Sequence, residues 1–263
     1  MTSFIFYYFK KPGVEFPFPE IYFRDYESKL LDKLLSCALN PEEKDRASEG
    51  VARSYKIVLI KGSRKIEGKY IDYVSELIGK KFVSVGSLVQ ELGPNDEDFK
   101  ITEWLNKKEK KSTVFVSFGE ERKLEETLPK GFLERVGERG LVMEGWAPQL
   151  KILGHDNIGG FLSHCGWNSV LESMHFGIPI IAVPMHLDQP IIARFVEDIG
   201  VGVEVVRDSK GQLHKERLAE VIKQVVIEKS GEFVRIKAVE MKVKISDEVV
   251  AELVEVCTSS SSS

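Results

Sequence analysis

Several protein classes are excluded by what this 263-residue chain lacks. Its three cysteines, Cys37, Cys165 and Cys257, are odd in number and show no CxxC spacing. They can build neither a disulfide framework nor a four-cysteine zinc site, and a reducing compartment is the expectation. Positive charge is not in surplus: 37 Lys+Arg stand against 41 Asp+Glu, for a formal charge of −4, and no block of like charge is long enough to form a nucleic-acid arm. A DNA- or RNA-binding role is therefore not expected. No apolar run reaches the length of a membrane span. The aromatic stretch at residues 3–9 is followed by Lys10-Lys11-Pro12, which puts its charge on the wrong side for a signal peptide, and no small-residue cleavage site follows. It reads as a buried strand or an interface segment.

What is present is a soluble composition, 43% apolar with 21 Gly and 10 Pro, enough for one large domain or a domain and a half. Short β-branched runs recur at Ile57-Val58-Leu59-Ile60, Phe82-Val83-Ser84-Val85, Val114-Phe115-Val116-Ser117-Phe118, Leu141-Val142-Met143, Gly160-Phe161-Leu162, residues 178–183 and residues 201–205. Each reads as a strand buried on both faces. Between them lie helical spacings: Tyr70, Tyr73, Val74 and Leu77; Val170, Leu171 and Met174; Ile191, Ile192, Phe195 and Val196; Leu218, Val221, Ile222 and Val225. Alternation of this kind predicts an α/β fold, a Rossmann-like parallel sheet with helices on both faces. Residues 90–100, polar and containing Gly93-Pro94, read as a linker, and the serine run 259–263 as a disordered tail. Within residues 1–50, Phe16-Pro17-Phe18-Pro19 cannot be a central strand, Leu30, Leu31, Leu34 and Leu35 suggest one amphipathic helix, and no separate sheet is visible.

The chemistry is concentrated after the strand at Ile158–Ser163. His164-Cys165-Gly166-Trp167-Asn168-Ser169 leads straight into a helix ending at Gly177, and free N–H groups at such a helix start suit a phosphate. The alternative is capping by Asn168 or Ser169, with Ser169-Val170-Leu171-Glu172 as a capping box. On local pattern capping is the commoner case, and both readings stand at this point. A second turn, residues 184–190, follows the next strand, with Asp188 able to cap and Pro190 suited to the first helical turn. Both turns lie at carboxyl ends of consecutive strands, the edge where open α/β sheets bind ligands.

Trp146-Ala147-Pro148-Gln149, His164-Cys165-Gly166-Trp167-Asn168-Ser169, Glu172 and Asp188-Gln189 together span 44 residues. They resemble the signature box of plant UDP-dependent glycosyltransferases. The resemblance covers residues 15–257 and is strongest to the branch that adds a sugar to a sugar already on a triterpenoid (mogroside-like) or flavonoid. It implies a GT-B type C-terminal domain plus a remnant of the N-terminal domain, divided as 1–90 acceptor-domain remnant, 91–100 linker, 101–258 donor-binding domain and 259–263 tail. It also implies donor-binding roles: Trp146 stacked on uracil; Ala147 and Gln149 at the base edge and ribose; Glu172 on the ribose hydroxyls; His164, Asn168, Ser169 and Ser117 at the phosphates; Asp188, Gln189 and the Trp167 backbone at the sugar. Gln189 at the end of the box implies UDP-glucose as donor. No metal and no cofactor beyond this donor substrate are implied, and the location expected is cytoplasmic. His155, His175, His186 and His214 are given no role.

The chain departs from this pattern twice. No histidine precedes His155, so the family's catalytic histidine and its aspartate, which lie in the acceptor domain, have no counterpart here, and no catalytic residue is assigned. The family's reaction is inverting attack by an acceptor hydroxyl on the anomeric carbon. The expectation is such a transferase or, alternatively, a truncated and silent fragment that binds UDP-sugar or pairs with a full-length homologue. The second departure is internal: after Ser117-Phe118-Gly119 only Glu120-Glu121-Arg122-Lys123-Leu124-Glu125-Glu126-Thr127 precede Leu128-Pro129-Lys130-Gly131-Phe132, where the family has a further βα unit. Residues 114–118 and Leu141-Val142-Met143 are then expected to become adjacent parallel strands, joined through a short helix at 129–136. Residues 4–9 are expected to lie on an exposed apolar face, favouring association and poor solubility.

Overall fold

The computed structural model of the chain describes residues 3, 4, 7, 11, 15–30, 51, 53, 54, 57–89, 99–118, 128–143, 145 and 147–246. Trp146, the connection 119–127, most of the proposed linker, Leu31, Leu34, Leu35 and the serine tail lie outside these residues. The elements run β1 (Ile57–Ile60), α1 (Arg64–Ile78), β2 (Lys81–Ser84), α2 (Phe99–Asn106), β3 (Thr113–Ser117), α3 (Phe132–Val136), α4 (Gln149–Leu153), β4 (Ile158–Ser163), α5 (Trp167–Phe176), β5 (Ile180–Ala182), α6 (Gln189–Asp198), β6 (Gly202–Glu204), α7 (Lys215–Val226) and α8 (Glu232–Ser246). Among the described residues no helix is long and apolar enough to cross a membrane.

Two parallel sheets result: β1-β2, joined by α1, and β3-β4-β5-β6 in that order. Alternation along β4 sets the layers, since successive side chains point to opposite faces. Phe161 packs with Ile101, Leu105, Ile152 and Leu153, and stacks on Phe115 at 5.1 Å. Leu162 packs with Ile181, Val205, Val221 and Val225 on the α7 side. Ile180 and Ala182 of β5 face Val170, Leu171, Met174, Ile192 and Val196, with Met241 and Ile245 of α8 behind them. Gly177 ends α5 with φ of 68°, and a Cβ there would come within 3.3 Å of the Val239 Cα in α8. Its glycine thus serves both a left-handed cap and a close helix approach.

Three expectations fail. Leu141-Val142-Met143 is not a strand: β3 takes β4 as its partner, at the register Phe115 to Phe161. Leu141 and Met143 are 43% and 40% exposed. β4 offers β3 a longer partner, six residues all buried, than this half-exposed run does. The helix expected before it does form, as α3. Secondly, β1 and β3 are not buried on both faces, for Leu59 is 55% and Val116 49% exposed. Thirdly, the described residues of the N-terminal aromatic stretch, Ser3, Phe4 and Tyr7, are buried as one reading expected but are neither strand nor exposed. Ser3, Phe4 and Tyr7 are helical, and Phe4 and Tyr7 are buried with Phe16, Ile21 and Tyr70 against Ile191 and Phe195 of α6. A helix fits because the cluster beneath it is three-dimensional: Phe4 and Tyr7 both stand edge-on to Phe16, at 5.0 and 5.2 Å.

An ion network reinforces the same junction. Arg194 of α6 donates from Nη2 to both carboxylate oxygens of Glu27 at 2.8 Å and from Nη1 to Glu204 of β6. Arg24 completes it with a 2.5 Å bond to Glu204.

Phe161 sits at the centre of the larger sheet with no exposed surface. Phe161→Ala is expected to cost about 3–5 kcal/mol of stability, read as the change in free energy from urea unfolding; a loss below about 1 kcal/mol would contradict this packing.

Candidate functional site

The carboxyl ends of β3, β4 and β5 form one edge, and the chain crosses it in two turns. In the first, β4 ends at Ser163 and α5 begins at Trp167. Cys165 takes a left-handed conformation, φ 68°, uncommon for a residue with a side chain. Its N–H donates to Ser163 Oγ at 3.1 Å and its thiol is fully buried, which holds the thiol well above its usual range. Gly166 is the N-cap and makes no side-chain capping bond. The capping reading therefore fails: Asn168 and Ser169 are already inside the first helical turn, and their side chains are not where a cap must be. The leading N–H groups of α5 have no side-chain cap, a donor-rich and electropositive end.

His164 covers that end. A Cβ on Gly166 would lie 2.6 Å from His164 Nε2, so only glycine lets the imidazole fold over the helix start. His164 Nδ1 lies 3.4 Å from the Ser117 carbonyl oxygen across the β3–β4 pair. From the other side Gln149, at the head of α4, donates from Nε2 to Glu172 Oε2 at 2.6 Å and to Ser169 Oγ at 3.1 Å. Glu172 is thus oriented by α4 and not by a reciprocal capping box. Ala147, two residues before Gln149, packs against the Ile152–Phe161 cluster.

The second turn joins β5 to α6. Leu187 is also left-handed, φ 48°. Asp188 is the N-cap of α6 without a side-chain capping bond, and Pro190 sits in the first turn. Gln189 Oε1 accepts from the N–H groups of Met185 and His186, at 2.9 and 2.8 Å, so this side chain braces its own turn. Arg207 Nη2 donates to the Pro184 carbonyl at 3.2 Å. Burial pushes the Asp188 carboxyl above the usual carboxylate range, with the nearby His164 imidazole opposing.

Of the residues proposed from sequence, the structure brings together Ser117 with His164, and Gln149 with Ser169 and Glu172. Asn168 is exposed in the first turn of α5. The Trp167 indole turns away, donating to the Lys61 carbonyl at 3.2 Å and standing edge-on to Phe195, and only its backbone belongs to the helix start. Sequence reasoning missed Arg194, Glu204 and Arg207. The signal for the first two was available: an arginine inside the apolar run Ile191–Val196 and a glutamate between Val203 and Val205 are buried charges that require partners. Among the described residues no group of three or more His, Cys, Asp or Glu is placed to hold a metal ion.

A family model described as UDP-glucoronosyl and UDP-glucosyl transferase matches residues 69–237. The chain is similar to beta-D-glucosyl crocetin beta-1,6-glucosyltransferase of Gardenia jasminoides, with 42% identity over 294 residues, covering 97% of this chain and 66% of that protein. It is also similar to a mogroside IIIx synthase of Siraitia grosvenorii, with 44% identity over 269 residues, covering 88% of this chain and 59% of the other. The chain therefore spans about three fifths to two thirds of the length of these relatives. The first match runs over 294 residues against a chain of 263, so at least 31 positions (294 less 263) within the matched span have no counterpart here. In structure it resembles Phytolacca americana UGT2 complexed with UDP-2fluoro-glucose and pterostilbene, with a TM-score of 0.77 at 23% identity, covering 98% of this chain and 68% of that one. That likeness places the fold among the GT-B architectures.

A carboxyl whose folded pKa is raised above the unfolded value of about 3.9 subtracts stability progressively as pH climbs from that value through the folded one. Asp188→Asn is therefore expected to melt higher than the parent at pH 7.5, with the gap closing as pH falls toward 4. Equal melting temperatures at pH 7.5 would show that the site imposes no burial cost on this carboxylate.

Proposed function

Because this chain belongs to the UDP-glucoronosyl and UDP-glucosyl transferase family, we propose that it binds UDP-glucose across the β3–β4–β5 edge for transfer of glucose, with inversion, to a hydroxyl of a glycosylated triterpenoid or flavonoid. The observation that carries this reading is the uncapped start of α5 under the His164 imidazole, a built site for a diphosphate. In the proposal the two phosphates take N–H bonds from that helix start, with His164, Asn168, Ser169 and Ser117 around them. Glu172, held by Gln149, accepts hydrogen bonds from the ribose hydroxyls. Trp146, Ala147 and Gln149 receive the base. Asp188, Gln189 and the Trp167 backbone hold the sugar. The acceptor class is taken from the names of the relatives, one a glucosyl crocetin glucosyltransferase and one a mogroside synthase.

The reaction proposed is a displacement. The acceptor oxygen forms a bond to the anomeric carbon from the face opposite UDP, the bond from that carbon to the phosphate oxygen breaks, UDP leaves, and the hydroxyl proton passes to a base. Donors fixed at the helix start stabilise the charge that develops on the leaving diphosphate. A cytoplasmic location belongs to the same proposal.

A second reading, donor binding without turnover by this chain, with or without a full-length homologue as partner, is favoured by one sequence fact: no histidine precedes His155. Titration and turnover separate the two. UDP-glucose is expected to bind the purified chain, and His164→Ala and Glu172→Ala each to weaken binding by about tenfold or more, the size of a hydrogen bond to a charged group. Glucose transfer to a mogroside or flavonoid glucoside supports the transferase reading. Binding without transfer supports the second, and failure of UDP and UDP-glucose to bind would remove both.

A further inference from the structure

Arg194 is buried at 3% exposure in the middle of an otherwise apolar helix, and nothing in the proposed donor site calls for it. We propose that it is a positioning residue for the sugar-binding turn: by clamping α6 to Glu27 and Glu204, it fixes Asp188 and Gln189, so that the segment holding Arg24 and Glu27 sets how tightly the sugar of a nucleoside diphosphate sugar is held. This rests on the donor-site reading above.

The clamp holds one carboxylate on each terminal nitrogen of Arg194, while the buried Arg194 Nε has no hydrogen-bond partner among the described residues. Both oxygens of Glu27 accept from Arg194 Nη2 at 2.8 Å, Glu204 accepts from Nη1, and Arg24 reaches Glu204 from the opposite side at 2.5 Å. The Tyr22 ring lies 5.2 Å from the Arg194 guanidinium and 5.9 Å from that of Arg24. Two arginines and two glutamates balance in charge, and removal of one member leaves the others buried and uncompensated. Fork geometry makes this a fixed anchor in a way that a lysine would not be.

From the anchor to the turn the path is short and stiff. Arg194 is five residues from Gln189, about one and a half helical turns. Pro190 restricts the first turn, the Asp188 carbonyl accepts from the Ile192 N–H at 3.1 Å, and the Gln189 side chain binds Met185 and His186 back onto the helix start. Residues 185–189 therefore cannot shift without α6. The start of α5 is held by β4 and by the Gln149 bonds to Ser169 and Glu172, besides the Trp167 contact with Phe195 of α6. In the donor-site reading the diphosphate is gripped from α5, whereas the sugar takes Asp188 and Gln189 from α6 besides the Trp167 backbone, so the anchor at Arg194 bears first on the sugar.

This separation makes the proposal testable apart from general damage. Dissociation constants of UDP and UDP-glucose would be measured by calorimetry on the full chain, for the parent, Glu27→Gln and Arg24→Gln, with thermal melts in parallel. The expectation is that UDP-glucose weakens by about fivefold or more, while UDP stays within about twofold. Arg24 lies at the rim of the network, its side chain 18% exposed, so Arg24→Gln supplies the ratio even where Glu27→Gln does not fold. Equal weakening of both ligands, or no change in either, overturns the proposal. A parent chain that binds neither ligand removes the donor-site reading and this inference together, whereas a parent that binds both with an unchanged ratio in the variants removes only the inference.

Discussion

The candidate site depends on one backbone reversal. All six residues of β4 are buried, so the chain cannot leave the sheet sideways without exposing unpaired backbone groups. It must pass over the carboxyl edge and enter α5 within three residues. That forces Cys165 into the left-handed region, at a cost of about 1–2 kcal/mol, offset by a side chain packed into the α5–α6 core and an N–H bonded to Ser163. A glycine at 165 would relieve the backbone but leave that core position empty. Gly166 then returns to extended geometry, and the helix starts with its N–H groups directed out of the edge. The strain and the donor-rich helix start have the same origin.

A second constraint holds the chain's two sheets in register with this edge. The aromatic cluster from Phe4 to Phe195, the Trp167 indole on Lys61 and the Arg24–Glu27–Arg194–Glu204 network all converge near α6. They do different work. The aromatics supply apolar burial, which is strong and tolerant of direction. The ion network supplies little net stability, since desolvation consumes most of the Coulomb attraction, and burial, with the neighbouring Glu197 adding to it, pushes the Glu204 carboxyl up against the lowering effect of Arg24 and Arg194. Its contribution is directional: carboxylates and guanidinium forks permit one placement of residues 24–27 on α6, where the aromatics alone would permit several.

Period and composition carried most of the fold. The β4, β5 and β6 runs, the amphipathic spacings of α1, α5, α6 and α7, and the end of α5 at Gly177 are local properties, and local reasoning finds them. The failures involve competition between distant segments. Whether β3 pairs with β4 or with residues 141–143 depends on relative length and burial of strands 20 or more residues apart, which no window contains. The stretch 3–9 has strand-like composition, yet at Phe4 and Tyr7 a three-dimensional aromatic cluster goes with helix. At the proposed site, side-chain directions were not legible in the sequence. Asn168 and Ser169 suit an N-cap, but the cap position falls to Gly166, two or three residues earlier than the capping pattern assumes.

Gln189 illustrates what a motif residue leaves open. A glutamine has one accepting end and one donating end. Here the accepting end is occupied twice, by the Met185 and His186 N–H groups, so the end not engaged in the turn is the Nε2 donor pair. Such a side chain suits an acceptor oxygen and disfavours a ligand group that must donate. Asp188 beside it is an acceptor alone when ionised, and the burial that raises its pKa is opposed first by a backbone hydrogen bond to its carboxylate. The neighbouring pair thus presents complementary polarity, donor from Gln189 and acceptor from Asp188, which is what a hydroxyl, itself both donor and acceptor, requires. That complementarity exists only while the turn holds the glutamine carbonyl in place, so the recognition chemistry at residue 189 is set by the backbone at 185 and 186 as much as by the side chain itself.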